Sequence, residues 1–450
     1  MYPSYQNTVL GLYLCHAIGG MHGHLFFDLN SPAFTQRQGS NLVLNMHNDI
    51  KQQDRLQRSR LKLHQDSTWL RLIRDAERLR TSSLRDSWQF ALDRTNPRKP
   101  HQGNLKVSLR DPVTRKLFRS GLKLDRRRVV VGVKPLSVTR AGVDFSSDAF
   151  ALLPLVQRGS QQGLYTLAQL AASSQAVVVA INGGFFNRTR QLPLGALKRD
   201  GVWLSGPILN RGAIGWSTEG PLHFGRLRLK QKLQVKGGQS WDLGYLNSAF
   251  VRSGLSRYTS AWGPRYQALS GEEKALLIRN GSVVSQFKQS ELDLGIPIAD
   301  AENLLVSRGR GLLPAAIGDQ VVFHLKTSDP LGDLPNVLGA GPLLLQGSRI
   351  VLSGQEEGFN PTFLRQAAPR SVVAQDARSL WLVAITDGGS GSPTLLETAL
   401  ALLQLRLSDA LNLDGGSSTS LLLVDHLLLT GRGIAPRLQN ALGLVALPQE

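Results

Sequence analysis

The sequence predicts a mixed α/β (α+β) domain, a largely mixed β-sheet with flanking helices, preceded by a basic, partly helical N-terminal extension. Three observations carry this reading. The 45 glycines of the 450 residues fall mostly in turns between short apolar runs, the pattern of many strands and tight loops. Hydrophobic residues make up 42% of the chain, enough for a sizeable buried core. Helical periodicity is confined to a few segments.

Taken in order, residues 1–50 show no clear period. His16, His22 and His24 lie close together, but no Cys or carboxylate completes a metal-ligand set with them. Residues 8–15 are apolar, yet no basic residue precedes them, and Leu14 before Cys15 does not suit a lipoprotein cleavage site. The compartment is left open: Cys15 is the single cysteine, which fits a reducing environment without ruling out export. No run is long enough for a transmembrane helix. Residues 51–80 place Leu56, Leu63, Leu70 and Ile73 roughly at helical spacing among many arginines, as in an amphipathic helix. Residues 1–128 hold 23 Lys and Arg against 10 Asp and Glu, so +13 of the net +19 sits there. Such a face attracts polyanions or is simply solvated. Nucleic acid is not the expected partner, because no recognition motif is present and aromatics are only 6%.

A turn-rich, basic stretch places a boundary near 125, giving an extension of residues 1–124 and a domain of residues 125–450. Val129–Val133 reads as a buried strand. Residues 165–174 read as a helix with Leu167, Leu170 and Ala171 on one face, followed by a buried strand, Ala176–Ile181. Between 195 and 350 short strands alternate with turns at Asp200-Gly201, Asn280-Gly281 and Gln346-Gly347. Trp381–Ile385 is a further strand. A helix is predicted from Pro393 to Arg406, capped by Ser392, with Leu396, Ala399, Leu400 and Leu403 facing inward. Ala410–Leu413 is a last apolar run.

Three strands end in a polar residue and two glycines: Asn182-Gly183-Gly184, Asp387-Gly388-Gly389 and Asp414-Gly415-Gly416. A strand end fixes the polar side chain, and the glycines leave room for a ligand near bare backbone N–H groups. Two carboxylates in one site divide acid and base roles when their environments split their pKa values, as glycoside cleavage requires. The hydroxyls of Ser417, Ser418 and Thr419 suit a phosphate or sugar, and Arg370 suits a phosphate through two parallel hydrogen bonds. The Gly339-Ala340-Gly341-Pro342 turn has neither the lysine of a P-loop nor dinucleotide spacing.

These segments, in this order, resemble the phosphodiester glycosidase family. The matching pieces are AINGGFF (180–186), LGALKRDG (194–201), LGAGPLLLQG (338–347), APRS (368–371), ITDGG (385–389) and ALNLDGGSST (410–419). The resemblance covers about residues 125–447. Ser417, Ser371 and Gly389 stand where the family has glycine, threonine and arginine. The resemblance implies hydrolysis of a sugar-1-phosphodiester, with Asp414 and Asp387 as the carboxylates, their acid and base roles left open. It implies substrate contacts from Asn182, Gly183, Gly184, Gly341, Arg370, Asn412, Ser417, Ser418 and Thr419. The expected partner is a phosphorylated glycan or sugar phosphodiester. No cofactor is predicted; a divalent cation would suit carboxylates near phosphate, but no ligand loop is present. The alternative is a non-catalytic protein that holds phosphorylated glycan in envelope or exopolysaccharide assembly. The sequence carries no signal for oligomeric state.

Overall fold

A computed structural model describes residues 112–448 apart from Arg158, Ser160, Gln175, Glu219 and Arg310. The helix predicted at 51–80, the three N-terminal histidines and Cys15 lie outside the described residues. The labelled strands are β1 (Lys123–Val131), β2 (Lys134–Asp144), β3 (Phe150–Val156), β4 (Val177–Asn182), β5 (Leu343–Gln346), β6 (Arg349–Ile350), β7 (Arg370–Gln375), β8 (Ser379–Asp387), β9 (Asp409–Asn412), β10 (Ser420–Leu423), β11 (His426–Thr430) and β12 (Asn440–Ala446). The two labelled helices are α1 (Leu167–Ala172) and α2 (Leu395–Gln404).

Two antiparallel sheets form the centre. The first has the order β1-β2-β8-β7-β9-β5-β6, and the second β11-β10-β4-β12-β3. Strand residues alternate between faces, and the inner faces of both sheets meet in one apolar core. Ala141, Leu382, Ala384 and Leu411 come from the first sheet; Val179, Ile181, Leu421 and Leu442 come from the second. The outer faces are covered by helices. Leu170 of α1 packs with Ala180, Leu422 and Ala441 on the second sheet. Helix α2 packs on β1, β5 and β9 of the first. The layering is helix, sheet, sheet, helix. Both helices start with a capping box, Thr166 with Gln169 and Thr394 with Glu397.

Another five-stranded sheet, ordered His223–Arg226, Gly212–Trp216, Asn336–Gly339, Leu197–Arg199 and Val202–Ser205, borders the same core through Ile214, Trp216 and Leu338. Residues 245–308 build a sheet with a separate core around Tyr258, Trp262, Tyr266 and Leu304. Within it Arg308 is closed off by Glu273 at 2.7 Å and by the hydroxyls of Tyr258 and Tyr266.

The sheet-dominated α/β class holds, but parallel pairing is confined to Tyr245–Leu246 with Gly254–Thr259 among the described strands. Three local readings differ. The strand predicted at 129–133 runs from Lys123 to Val131, and Val133 is 96% exposed in the following turn; β1 is an edge strand, where charged residues such as Arg126 and Arg128 are tolerated. The cap of α2 is Thr394 rather than Ser392. The Pro393 carbonyl accepts from the Ala368 N–H at 3.0 Å, which holds Pro393 outside the helix. Its buried face therefore centres on Leu395, Thr398, Ala399 and Leu402. The third hairpin turn is Gly347-Ser348 rather than Gln346-Gly347; with Asp200-Gly201 and Asn280-Gly281 it has positive φ at both positions, as two-residue hairpins favour.

Candidate active site

The Asp414 loop is held by both central sheets. After β9, the Leu413 N–H donates to the Ser371 carbonyl at 2.8 Å and the Gly416 N–H to the Pro369 carbonyl at 2.8 Å, both bonds to β7 or the segment entering it. From the other sheet, the Asp414 N–H donates to the Gly183 carbonyl at 3.0 Å, and Asn182 Nδ2 donates to the Asp414 carbonyl at 2.6 Å. Asn182 and Asp414 are thus brought together from different sheets.

Asn182 has no exposed surface and is committed. Its Oδ1 accepts from the Ser371 hydroxyl at 2.6 Å and from the Ser420 N–H at 3.1 Å. It orients the loop rather than offering itself to a ligand. The N–H groups of Gly183 and Gly184, predicted to face a ligand, donate instead to Asn440 O and Asn440 Oδ1 at 3.0 and 2.8 Å. These glycines exist for close packing: a Cβ at 183 would lie 2.1 Å from Asn440 Oδ1, and one at 184 would lie 2.5 Å from the Gly339 carbonyl.

Asp414 keeps some accessible surface, yet protein atoms surround its carboxyl closely enough that burial dominates its titration. Burial pushes its pKa up from 3.8 to about 6, against the opposing pull of the Ser418 hydroxyl, the Gly415 N–H and the charge of Arg188. Of the three predicted hydroxyls, Ser418 is buried against this carboxyl, and Thr419 is fully buried with its Oγ1 unpartnered. Ser417 alone of the three reaches the surface, where Arg188 donates to its Oγ at 3.3 Å.

Arg370 opens β7 next to this loop. It is 1% exposed and forms no ion pair among the described residues. Its partners are the carbonyls of Pro393, at 3.4 Å from Nε, and Gln366. Burial lowers its pKa to about 10. Gly415 packs beside the guanidinium: a Cβ there would come within 3.9 Å of one terminal nitrogen.

Asp387 takes a different role from Asp414. It is exposed at the end of β8, and its Oδ1 accepts from the N–H groups of Gly389 and Gly391 at 2.6 and 2.8 Å. Those bonds hold its pKa below the usual carboxylate value. Strand β7 separates β8 from β9, so Asp387 and Asp414 leave the sheet from strands that are not neighbours. Neither carboxyl perturbs the other's titration. Gly341 and Asn412 are joined to each other: Asn412 Nδ2 donates to the Gly341 carbonyl at 2.8 Å, and the Gly341 N–H donates to the Asn412 carbonyl at 2.8 Å. Both are buried beneath the loop. Among the described residues no group of three or more His, Cys, Asp or Glu is placed to hold a metal ion, and no helix is long and apolar enough to cross a membrane.

Residues 273–445 match the family model described as phosphodiester glycosidase. Over this stretch the chain is similar to the phosphodiester glycosidase family. A hypothetical protein from Synechocystis is 38% identical, with a TM-score of 0.69, covering 72% of this chain and 62% of its own. The chain thus spans less than two thirds of that relative. A putative exported protein from Burkholderia pseudomallei shares the fold at 19% identity and a TM-score of 0.55, over 70% of this chain and 74% of that one. The zebrafish N-acetylglucosamine-1-phosphodiester alpha-N-acetylglucosaminidase catalytic domain, auto-inhibited by its pro-peptide, aligns at 14% identity and a TM-score of 0.40, over 73% and 83% of the two chains. No curated protein matches.

The stretch that matches the family model contains Arg370, Asp387 and Asp414, while Asn182 lies before it. Sequence reading passed over five neighbours. Arg188 sits beside Asp414 and Ser417. Phe185, directly after Asn182-Gly183-Gly184, packs against Phe359 and Phe363 with ring centroids at 5.5 and 5.8 Å. Arg211 lies over Phe359 at 4.1 Å. Only Phe185 carried a sequence signal, as part of the AINGGFF segment; Phe363 lies in the short helix Pro361–Arg365 and the others in loops, without a motif.

Proposed function

We propose that the chain hydrolyses the glycosidic bond of a glycosyl phosphodiester, with Asp414 as the group that takes the proton. The observation that carries this reading is that the loop of a carboxyl raised to about 6 is hydrogen-bonded, through Leu413 and Gly416, to the segment that bears a buried guanidinium without a carboxylate partner. Water attacks the anomeric carbon, and its proton passes to the Asp414 carboxylate. The carbon–oxygen bond to phosphate breaks, and the phosphomonoester leaves with the electron pair. That leaving group ionises with a second pKa of about 6, so it needs little protonation. The demand falls on activating the water, and a base whose pKa lies near neutrality meets it best. Arg370 faces the phosphate charge, and Arg188 and Ser417 offer further donors at the rim.

In this mechanism Asp387 is a turn-forming residue whose carboxylate stays ionised. Its commitment to backbone N–H groups is also the observation that favours the second reading, a protein that holds phosphorylated glycan without turnover. Incubation with a synthetic glycosyl phosphoglycerol separates the two: hydrolysis releases free sugar and glycerol phosphate, whereas a binding protein returns the compound unchanged.

A further inference from the structure

Arg211 stands beside one buried carboxylate that is already taken. Glu357 is fully buried, and its carboxylate is taken by Arg226 at 3.0 Å and by the N–H groups of Gly212 and Leu343 at 2.7 and 3.1 Å. Arg211 reaches only the Glu357 carbonyl, through Nε at 3.3 Å, and forms no ion pair among the described residues. Burial lowers its pKa to about 10. Two arginines thus lie near one carboxylate; Arg226 bonds it, and Arg211 feels its charge without a bond to it.

Its guanidinium lies over Phe359 at 4.1 Å and near Phe185 at 5.5 Å. Phe359 stacks on Phe363 at 5.0 Å, and Arg370 lies over Phe363 at 5.8 Å. The aromatic cluster therefore joins the two unpaired guanidiniums, one at each end. Phe185, Phe363 and Arg211 keep accessible surface. Desolvating two cations without carboxylates is costly, and an anionic ligand at each end would offset that cost. Phe185 and Phe363, which keep accessible surface, offer apolar contact to the sugar's C–H side.

We infer that Arg370, the Phe185–Phe359–Phe363 cluster and Arg211 form one strip that takes a glycosyl phosphodiester carrying a second phosphate, with the second phosphate on Arg211. The inference rests on the proposed function only in assigning the scissile phosphodiester to Arg370.

The test is binding, which does not depend on turnover. Calorimetry on the full chain compares glycerol 3-phosphate with glycerol 1,3-bisphosphate. The wild type should bind the bisphosphate at least about tenfold tighter, the scale of one added charge-assisted contact. Arg211→Gln should bring the two affinities within about threefold, while Lys230→Gln, an exposed lysine on another sheet, leaves the preference intact. Arg211→Lys keeps the charge but not the planar fork, and should fall between; it reads the same ratio if the glutamine variant does not fold. Equal affinity for both probes in the wild type, or a preference unmoved by Arg211→Gln, overturns the inference. A chain that binds the bisphosphate as described yet hydrolyses no glycosyl phosphodiester would instead contradict the proposed function.

Discussion

The side-chain amide of Asn182 donates to the backbone carbonyl of Asp414 across 2.6 Å, joining the end of a strand in one sheet to the loop that leaves the other. The same Asn182 accepts from Ser371 and Ser420, so one buried side chain fixes the Asp414 loop against both sheets. Asn182→Asp replaces the donor by an acceptor facing a carbonyl. Such a change should cost about 2–4 kcal/mol in urea unfolding, from lost bonds and a buried charge without a partner. Asn182→Ser should be milder in stability but should still lower kcat more than it raises KM, because it acts through the placement of Asp414. A rise in KM alone would mean that Asn182 contacts substrate directly.

Arg370 separates phosphate recognition from framework. Arg370→Ala should lower kcat/KM for a glycosyl phosphodiester by at least about a hundredfold, the scale of a lost charged contact in a dry site, while an uncharged aryl glycoside with the same sugar loses far less. Equal losses on both substrates would reduce Arg370 to a tie between the carbonyls of Gln366 and Pro393.

The raised pKa of Asp414 has a consequence for stability. A carboxyl that titrates at about 6 in the folded chain and near 3.8 otherwise binds its proton more tightly when folded. Its favourable contribution is complete below 3.8 and is lost as pH rises through about 6. Asp414→Asn should therefore match the wild type near pH 4 and exceed its stability at pH 8, by about 1–2 kcal/mol once the residue's partial exposure is allowed for. Thermal melts across that range check it; a variant less stable at pH 8 than at pH 4, relative to wild type, would contradict the burial of the carboxyl.

Glu357 anchors the other side of the site. It has no exposed surface and holds Arg226, Gly212 and Leu343 together. Glu357→Ala leaves Arg226 and two N–H groups unpaired and should cost about 3–5 kcal/mol in denaturant unfolding. A loss below about 1 kcal/mol would mean that solvent reaches these groups easily.

Much of this was legible in the sequence because strand ends and glycines leave local marks. The apolar run before Asn182, the run before Asp414 and the hairpin glycines each follow from backbone requirements within a few residues. The helix α1 was legible for the same reason, since Leu167, Leu170 and Ala171 share a face. What did not show was how the polar groups would be used. Asn182, Gly183 and Gly184 read as ligand-facing, but their donors and acceptors are consumed by Asn440, Ser371 and the Asp414 loop, partners far away in the chain. Asp387 and Asp414 have near-identical local sequences, yet one folds back on its own turn in solvent and the other is enclosed by two sheets. Burial is a property of the assembled layers, so no local pattern separates them. Arg211 and Phe359 come from turns whose neighbours are set by tertiary packing alone.

The most direct test of the account is the pH dependence of kcat for a glycosyl phosphodiester, measured on the wild type and on Asp414→Asn. The account predicts a wild-type rate that falls as pH drops below about 6, where the Asp414 carboxylate gains its proton. It also predicts that Asp414→Asn is slower by at least about a hundredfold, with that acid limb gone. A variant that turns over as fast as the wild type, with the same acid limb, would contradict it.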